Sequence, residues 1–160
     1  MYTALIQART SSKRLKSKVL MKILNQQIFL IVYKRTLKSE LIDKAIIVTS
    51  KSKSDDIIET ICKKKNIPIF RGSLNNVLKR YYDCSKKNLL NDVVRITSDC
   101  PLIDPNIITK LCNAYKAKKV QYASNIINPT FPDGFDVEIF SFDLLKKTLM
   151  NSKSKKSKEH

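Results

Sequence analysis

Short continuous apolar runs alternate along this chain with stretches whose apolar residues recur at helical spacing. The runs Tyr2–Ala8, Ala45–Thr49, Ile67–Phe70 and Asp92–Ile96 are too short for helices and show no polar side, so they predict strands covered on both faces. Between them, Gln27–Lys38 carries Ile28, Ile31, Val32 and Arg35 along one helical side. A second helix is predicted from an N-cap at Ser54 to about Lys65, with Asp55 and Asp56 in its first turn and Ile57, Ile58, Ile61 and Cys62 as its apolar face. Asn75 or Asn76 opens a third, carrying Val77, Leu78, Tyr81 and Tyr82. The spacing of those two tyrosines places them in the core. Asp104 followed by Pro105 has the order of a cap and a first-turn proline, with Ile107, Ile108, Leu111, Cys112 and Tyr115 on the buried side. Val120–Ser124 and Phe135–Phe140 predict two later strands, and Ser141 caps a short helix to about Met150.

Strands and helices in alternation argue for an α/β domain built on a mainly parallel sheet. One such domain is expected over residues 1–150, followed by a basic polar tail over 151–160 that is expected to fray. No internal repeat and no second domain is apparent in the sequence.

Composition narrows the functional classes. The chain has 160 residues, 42% of them hydrophobic, and a formal net charge of +17. That charge keeps a nucleic-acid-binding module open as an alternative. Most of the cations are scattered lysines, however, and the densest groups lie at Lys63-Lys64-Lys65 and in the tail, so no specific nucleic acid is expected. No apolar run reaches the length of a membrane span, and the cations follow the first apolar run rather than precede it as in a signal peptide. A cytoplasmic protein with no membrane partner is the expectation. Cys62, Cys84, Cys100 and Cys112 are unevenly spaced without a paired motif, which disfavours zinc; Cys62 and Cys112 fall on apolar helical faces.

Ligands of open α/β sheets gather beyond the carboxyl ends of the strands. Three segments are predicted there: Arg9–Lys18, Arg71-Gly72-Ser73 and Ser98-Asp99-Cys100-Pro101. The first packs Arg9, Lys13, Arg14, Lys16 and Lys18 among hydroxyl side chains directly after the first strand. Such a loop suits a nucleoside triphosphate, since arginine offers a planar fork to phosphate and lysine a mobile charge. A solvated basic loop is the plain alternative. Asp99, just after a strand and before Pro101, could hold magnesium, which asks for one or two protein carboxylates and fills its octahedron with water and phosphate oxygens. Capping a turn would explain it equally.

The order of these residues resembles the cytidylyltransferases that make CMP-sugars, in particular the branch of a spore coat polysaccharide biosynthesis protein, related to the CMP-Kdo and CMP-sialate synthetases. Ile6, Gln7, Ala8, Arg9, Ser12, Arg14, Leu15, Lys18 and Leu20 match the family's N-terminal signature; Ser11 and Ser17 replace its glycines and Lys16 its proline. F-R-G-S-L-N-N-V-L-K-R-Y-Y (Phe70 to Tyr82), S-D-C-P-L-I-D-P (Ser98 to Pro105) and T-F-P-D-G-F-D-V-E-I-F (Thr130 to Phe140) follow in the family's order.

The resemblance implies a nucleotide-diphospho-sugar transferase-like, Rossmann-like three-layer sandwich. It implies transfer of CMP from CTP to a sugar with release of pyrophosphate, in surface polysaccharide or glycan synthesis, with Mg2+ as cofactor. Arg9 and Lys18 would grip the triphosphate and Asp99 would bind the metal. Ala8, Ser12, Arg14, Arg71, Ser73, Arg80 and Ser98 would surround the nucleotide. Asp133, Asp136 and Glu138 would meet the sugar; a turn at Asp133-Gly134 is the competing account of the first. A homodimer is compatible with the resemblance. Family members run on past the point where this chain stops, so a shortened, catalytically weak nucleotide-binding relative is the main alternative.

Overall fold

A computed structural model describes residues 1–11, 15–127, 129 and 131–152. In chain order its elements are β1 (Tyr2–Gln7), a hairpin of β2 (Lys22–Ile23) and β3 (Gln26–Gln27), α1 (Ile28–Thr36), β4 (Ile42–Ser50), α2 (Asp56–Lys64), β5 (Ile69–Gly72), α3 (Val77–Lys87), β6 (Asp92–Thr97), α4 (Pro105–Lys118), β7 (Tyr122–Ser124), β8 (Glu138–Ser141) and α5 (Phe142–Asn151). The main sheet has the order β5-β4-β1-β6-β8-β7. β5, β4, β1 and β6 run parallel, and β8 and β7 complete the sheet with antiparallel pairings.

The continuous apolar runs are explained by two cores. Side chains alternate across a strand. Ala4, Ile6, Ala45, Ile47, Val94, Ile96 and Ile139 face a core shared with Phe29 and Val32 of α1, Ile58 and Cys62 of α2, and Ile108 and Cys112 of α4. Leu5, Ile46, Val48, Val93 and Phe140 face the other, with Val77, Tyr81 and Cys84 of α3 and Leu145 of α5. The molecule is therefore a three-layer α/β/α sandwich. Ile47 is completely buried at its centre, and truncating such a side chain to alanine costs ~2–5 kcal/mol.

From β1 the chain adds β4 and then β5 on one side, and α3 carries it back to β6 on the other side of β1. The gap between β1 and β6 is thus the point where strand order reverses, the usual ligand crevice of such sheets.

Several boundaries differ from the sequence expectation, each for a local reason. The buried residues of α1 are Phe29, Leu30, Val32 and Thr36, while Arg35 turns its Nε to the Ile103 carbonyl at 2.7 Å. Ser54 does not cap α2. It lies in a 3-10 turn, Lys53–Asp55, and Asp55 takes the N-cap position with its carboxylate turned inward rather than onto the helix. Ile57 is exposed, so the buried side of α2 rests on Ile58 and Cys62. β7 starts only at Tyr122, because Lys119 ends α4 in the left-handed conformation. β8 starts at Glu138: the Asn125 amide takes the place of a strand partner, donating to the Phe135 carbonyl at 2.8 Å and accepting the Val137 N–H at 2.9 Å. The caps Asn76, Asp104 and Ser141 each accept a backbone N–H of the following helix, as the sequence predicted. Tyr81 is in the core, whereas Tyr82 is half-buried and stacks on Phe142. Cys62, Cys84 and Cys112 are buried free thiols.

Candidate active site

At the reversal point the backbone pairing runs one residue past the strands. The Ala8 N–H donates to the Val48 carbonyl and the Ser98 N–H to the Gln7 carbonyl, each at 3.0 Å, and both residues are buried. Their small side chains let the two loops that follow approach each other. Arg9 comes next and is half-buried. Thr10 is then fixed from below: its N–H donates to Asp55 Oδ1 at 2.8 Å, and its hydroxyl lies 2.8 Å from Oδ1 and 3.0 Å from the Ser54 carbonyl. Its carbonyl accepts the Ser17 N–H at 2.9 Å, closing the loop. Ser17 sits at φ 57°, ψ 23°, in the left-handed region, and opens a 3-10 turn over Lys18–Leu20. That conformation is why glycine suits this position.

The loop delivers Lys18 to Asp99. Its ammonium forms an ion pair with Asp99 Oδ2 across 81 residues of sequence, and both side chains are about one-third exposed. Burial pushes the Asp99 carboxyl up, but the bonds from Lys18 and Thr97 outweigh it and hold the group below the ordinary value of 3.8. Asp136, just before β8, lies within electrostatic range of Asp99. Burial, together with the negative charge of Asp133, Glu138 and Asp99, pushes its carboxyl up.

These residues fit the small protein ligand set that a magnesium ion asks for. Asp99 is an ionised, accessible carboxylate at a place that already attracts one cation. Among the described residues no group of three His, Cys, Asp or Glu side chains could cage a metal. A cation here would draw most of its ligands from water and phosphate, as magnesium commonly does.

The remaining sequence candidates divide. Arg71 is committed within the protein: its Nε reaches the Ser50 carbonyl at 2.9 Å, Nη2 reaches the Ser52 carbonyl at 2.9 Å and Asp56 at 2.6 Å, and Nη1 pairs with Glu59. It binds α2 to the end of β5. Ser73 accepts the Asn76 N–H on its hydroxyl and the Arg80 guanidinium on its carbonyl. Arg80 is completely buried, and its Nε and Nη2 have no hydrogen-bond partner among the described residues. Burial pulls its pKa down, and nearby Arg9 adds to the fall. Gly72 makes room for it, since a Cβ there would lie 2.8 Å from Arg80 Cγ. Glu138 is paired with Arg95, accepts the Tyr122 hydroxyl at 2.8 Å, and lines a cavity of about 280 Å³ between α3 and α5. Asp133 lies in a turn with Gly134, whose φ is 97°. Ser12 and Arg14 lie outside the described residues, as do Thr130 and the tail 153–160.

So the structure gathers Ala8, Arg9, Lys18, Ser98 and Asp99 at one crevice, with Asp136 in electrostatic range, while Arg71 and Glu138 are engaged elsewhere. Two residues escaped the sequence reading. Asp55 looked like a helix-end charge, and only its burial shows otherwise. Arg95 could have been suspected, because an arginine inside the buried run V-V-R-I needs a counter-charge, which Glu138 supplies from the paired strand.

Fold and crevice together define an open α/β domain whose first loop sets a lysine against a carboxylate at the strand-order reversal. Residues 3–160 match the cytidylyltransferase family, and the chain belongs to that family. It is 39% identical over 158 residues to an uncharacterized protein of Methanocaldococcus jannaschii, covering 98% of this chain and 63% of that one. It is 31% identical over 145 residues to the spore coat polysaccharide biosynthesis protein SpsF of Bacillus subtilis, covering 88% and 59%. The chain thus spans about three-fifths of the length of these relatives. A solved cytidylyltransferase from Leptospira borgpetersenii superposes with a TM-score of 0.93 at 32% identity, over 100% of this chain and 68% of that one. Among the described residues no helix is long and apolar enough to cross a membrane.

Proposed function

We propose that this chain carries the nucleotide half of a CTP-dependent transferase, which moves CMP from CTP to a hydroxyl of a small sugar or sugar acid. The observation that carries this reading is the meeting of Lys18 and Asp99 at the strand-order reversal, a mobile cation beside an ionised carboxylate. The hydroxyl oxygen would attack the α-phosphorus and give up its proton to water, a new P–O bond would form, and the bond to the bridging oxygen would break to release pyrophosphate. Bound magnesium would neutralise charge on the phosphates at Asp99.

The chain's own part is to position and to neutralise. Arg9 and Lys18 flank the loop and would hold the phosphate chain from its two ends. Ser98 and Ala8 keep the floor narrow. Arg80 is as fully buried as Asp55, so it would brace the site from behind, through the Ser73 carbonyl and beside Arg9, rather than touch the nucleotide, and Arg71 has four of its five donors engaged within the protein. Asp136, in range of Asp99, is the carboxylate best placed to meet an acceptor. The name of the Bacillus relative supports an acceptor drawn from polysaccharide precursors.

Calorimetric titration with CTP, UTP, ATP and GTP, with and without magnesium, tests the reading. Selective CTP binding that weakens without magnesium is expected. Equal, salt-sensitive binding of all four would instead point to the chain's +17 charge and refute a cytidine site.

A further inference from the structure

We infer that Asp55 is a positioning residue for the phosphate-binding loop, clamping its base so that Arg9 and Lys18 address one phosphate chain; the functional part of this inference rests on the nucleotidyl-transfer reading. Asp55 is 0% exposed and cannot itself touch a nucleotide. Four donors converge on its carboxylate. The Thr10 N–H and hydroxyl meet Oδ1, each at 2.8 Å, while the Ser50 N–H, at 3.3 Å, and the Ser50 hydroxyl meet Oδ2. A carboxylate is tolerated away from water only when its lone pairs are filled in this way.

The origin of the donors gives the clamp its meaning. Thr10 lies just beyond β1 and Ser50 is the last residue of β4, so one carboxylate ties together the exits of two neighbouring parallel strands. The Thr10 carbonyl then holds the Ser17 N–H, one residue before Lys18. The two ends of the loop therefore meet at Thr10, and Thr10 is held by Asp55. Arg9 precedes this knot and Lys18 follows it. Loosening the knot frees both cations from their common geometry while leaving the sheet and both cores in place.

An Asp55→Asn protein tests this, because its amide points hydrogens at donors that already converge there. Thr10→Val is the milder companion: it removes the hydroxyl contact and keeps the N–H bond, so the contrast survives if the first variant folds poorly. Amide hydrogen exchange in the free protein should quicken at Thr10 and Ser17 and stay unchanged in β8 and α5. With magnesium present, CTP affinity should fall by about tenfold in Asp55→Asn, while CMP affinity holds within about twofold; one charge-assisted hydrogen bond is worth that much. A merely structural role would weaken both nucleotides in parallel. Parallel weakening, or unchanged exchange at Thr10 and Ser17, overturns the inference. If the unmodified chain binds no CTP, the transfer reading fails by itself, and the exchange measurement still decides whether Asp55 is the clamp.

Discussion

Replacing Lys18 by methionine should raise the affinity of the nucleotide-free protein for a divalent cation. In the free chain the Lys18 ammonium rests on Asp99, where a metal would bind, so the two cations compete. Both side chains are about one-third exposed, and ion pairs of that kind are worth ~0.2–1 kcal/mol, so the pair itself holds metal affinity down by about 1.4- to fivefold. An ammonium displaced to about 6 Å would still repel a divalent ion by ~1.4 kcal/mol in water, and physiological salt roughly halves that. Together these effects predict a gain of about five- to fifteenfold for Lys18→Met. Manganese is a suitable probe, read by the loss of its free-ion electron paramagnetic resonance signal. Lys18→Arg should keep the low affinity, because the charge remains, and Asp99→Asn should lose the site whatever stands at 18. The methionine protein should also bind CTP less tightly, since the same ammonium would serve the triphosphate. Manganese affinity unchanged or weaker in Lys18→Met would refute competition for Asp99.

Three further outcomes follow from local geometry. Gly72→Ala drives a Cβ to within 2.8 Å of Arg80 Cγ and 3.1 Å of Phe70 Cε1. Overpacking of that kind costs ~1–3 kcal/mol, and calorimetry should show Tm lower by about 2–4 °C for each kcal/mol. Ser17→Gly relieves a left-handed serine and should stabilise the chain by about 0.5–1 kcal/mol, read as a higher midpoint in urea. Burial pushes the Asp55 carboxyl up, but its bonds from Ser50 and Thr10 outweigh burial and hold it below the ordinary 3.8. Its stabilising contribution is therefore complete above the unfolded value and lost as pH falls through the lower folded value. Asp55→Asn should accordingly flatten the fall of Tm below about pH 4, and an unchanged acid profile would contradict that assignment.

The alternation of apolar runs and helical faces determined the α/β class, because a strand covered on both sides is apolar at most positions and pairs the polar groups it keeps. β1, β4 and β6 were legible for that reason, and the caps Asn76, Asp104 and Ser141 because a capping side chain acts within three residues of itself. Arg9, Lys18 and Asp99 were legible as candidates, through their residue types just after a strand and through the resemblance to a family. Only the tertiary structure decided that Lys18 and Asp99 touch, since strand order, not sequence distance, brings the exits of β1 and β6 together. It also separated two arginines that look alike in sequence: Arg71 spends its donors on α2 and β4, while Arg80 is buried with donors unspent. Asp55 is the sharpest case. Beside Asp56 at a helix start it reads as a dipole partner, yet its carboxylate faces inward to Thr10 and Ser50. Local sequence fixes which groups can ionise or donate. Burial and the direction a side chain faces are properties of the packed sheet, and they decide which of those groups become a site.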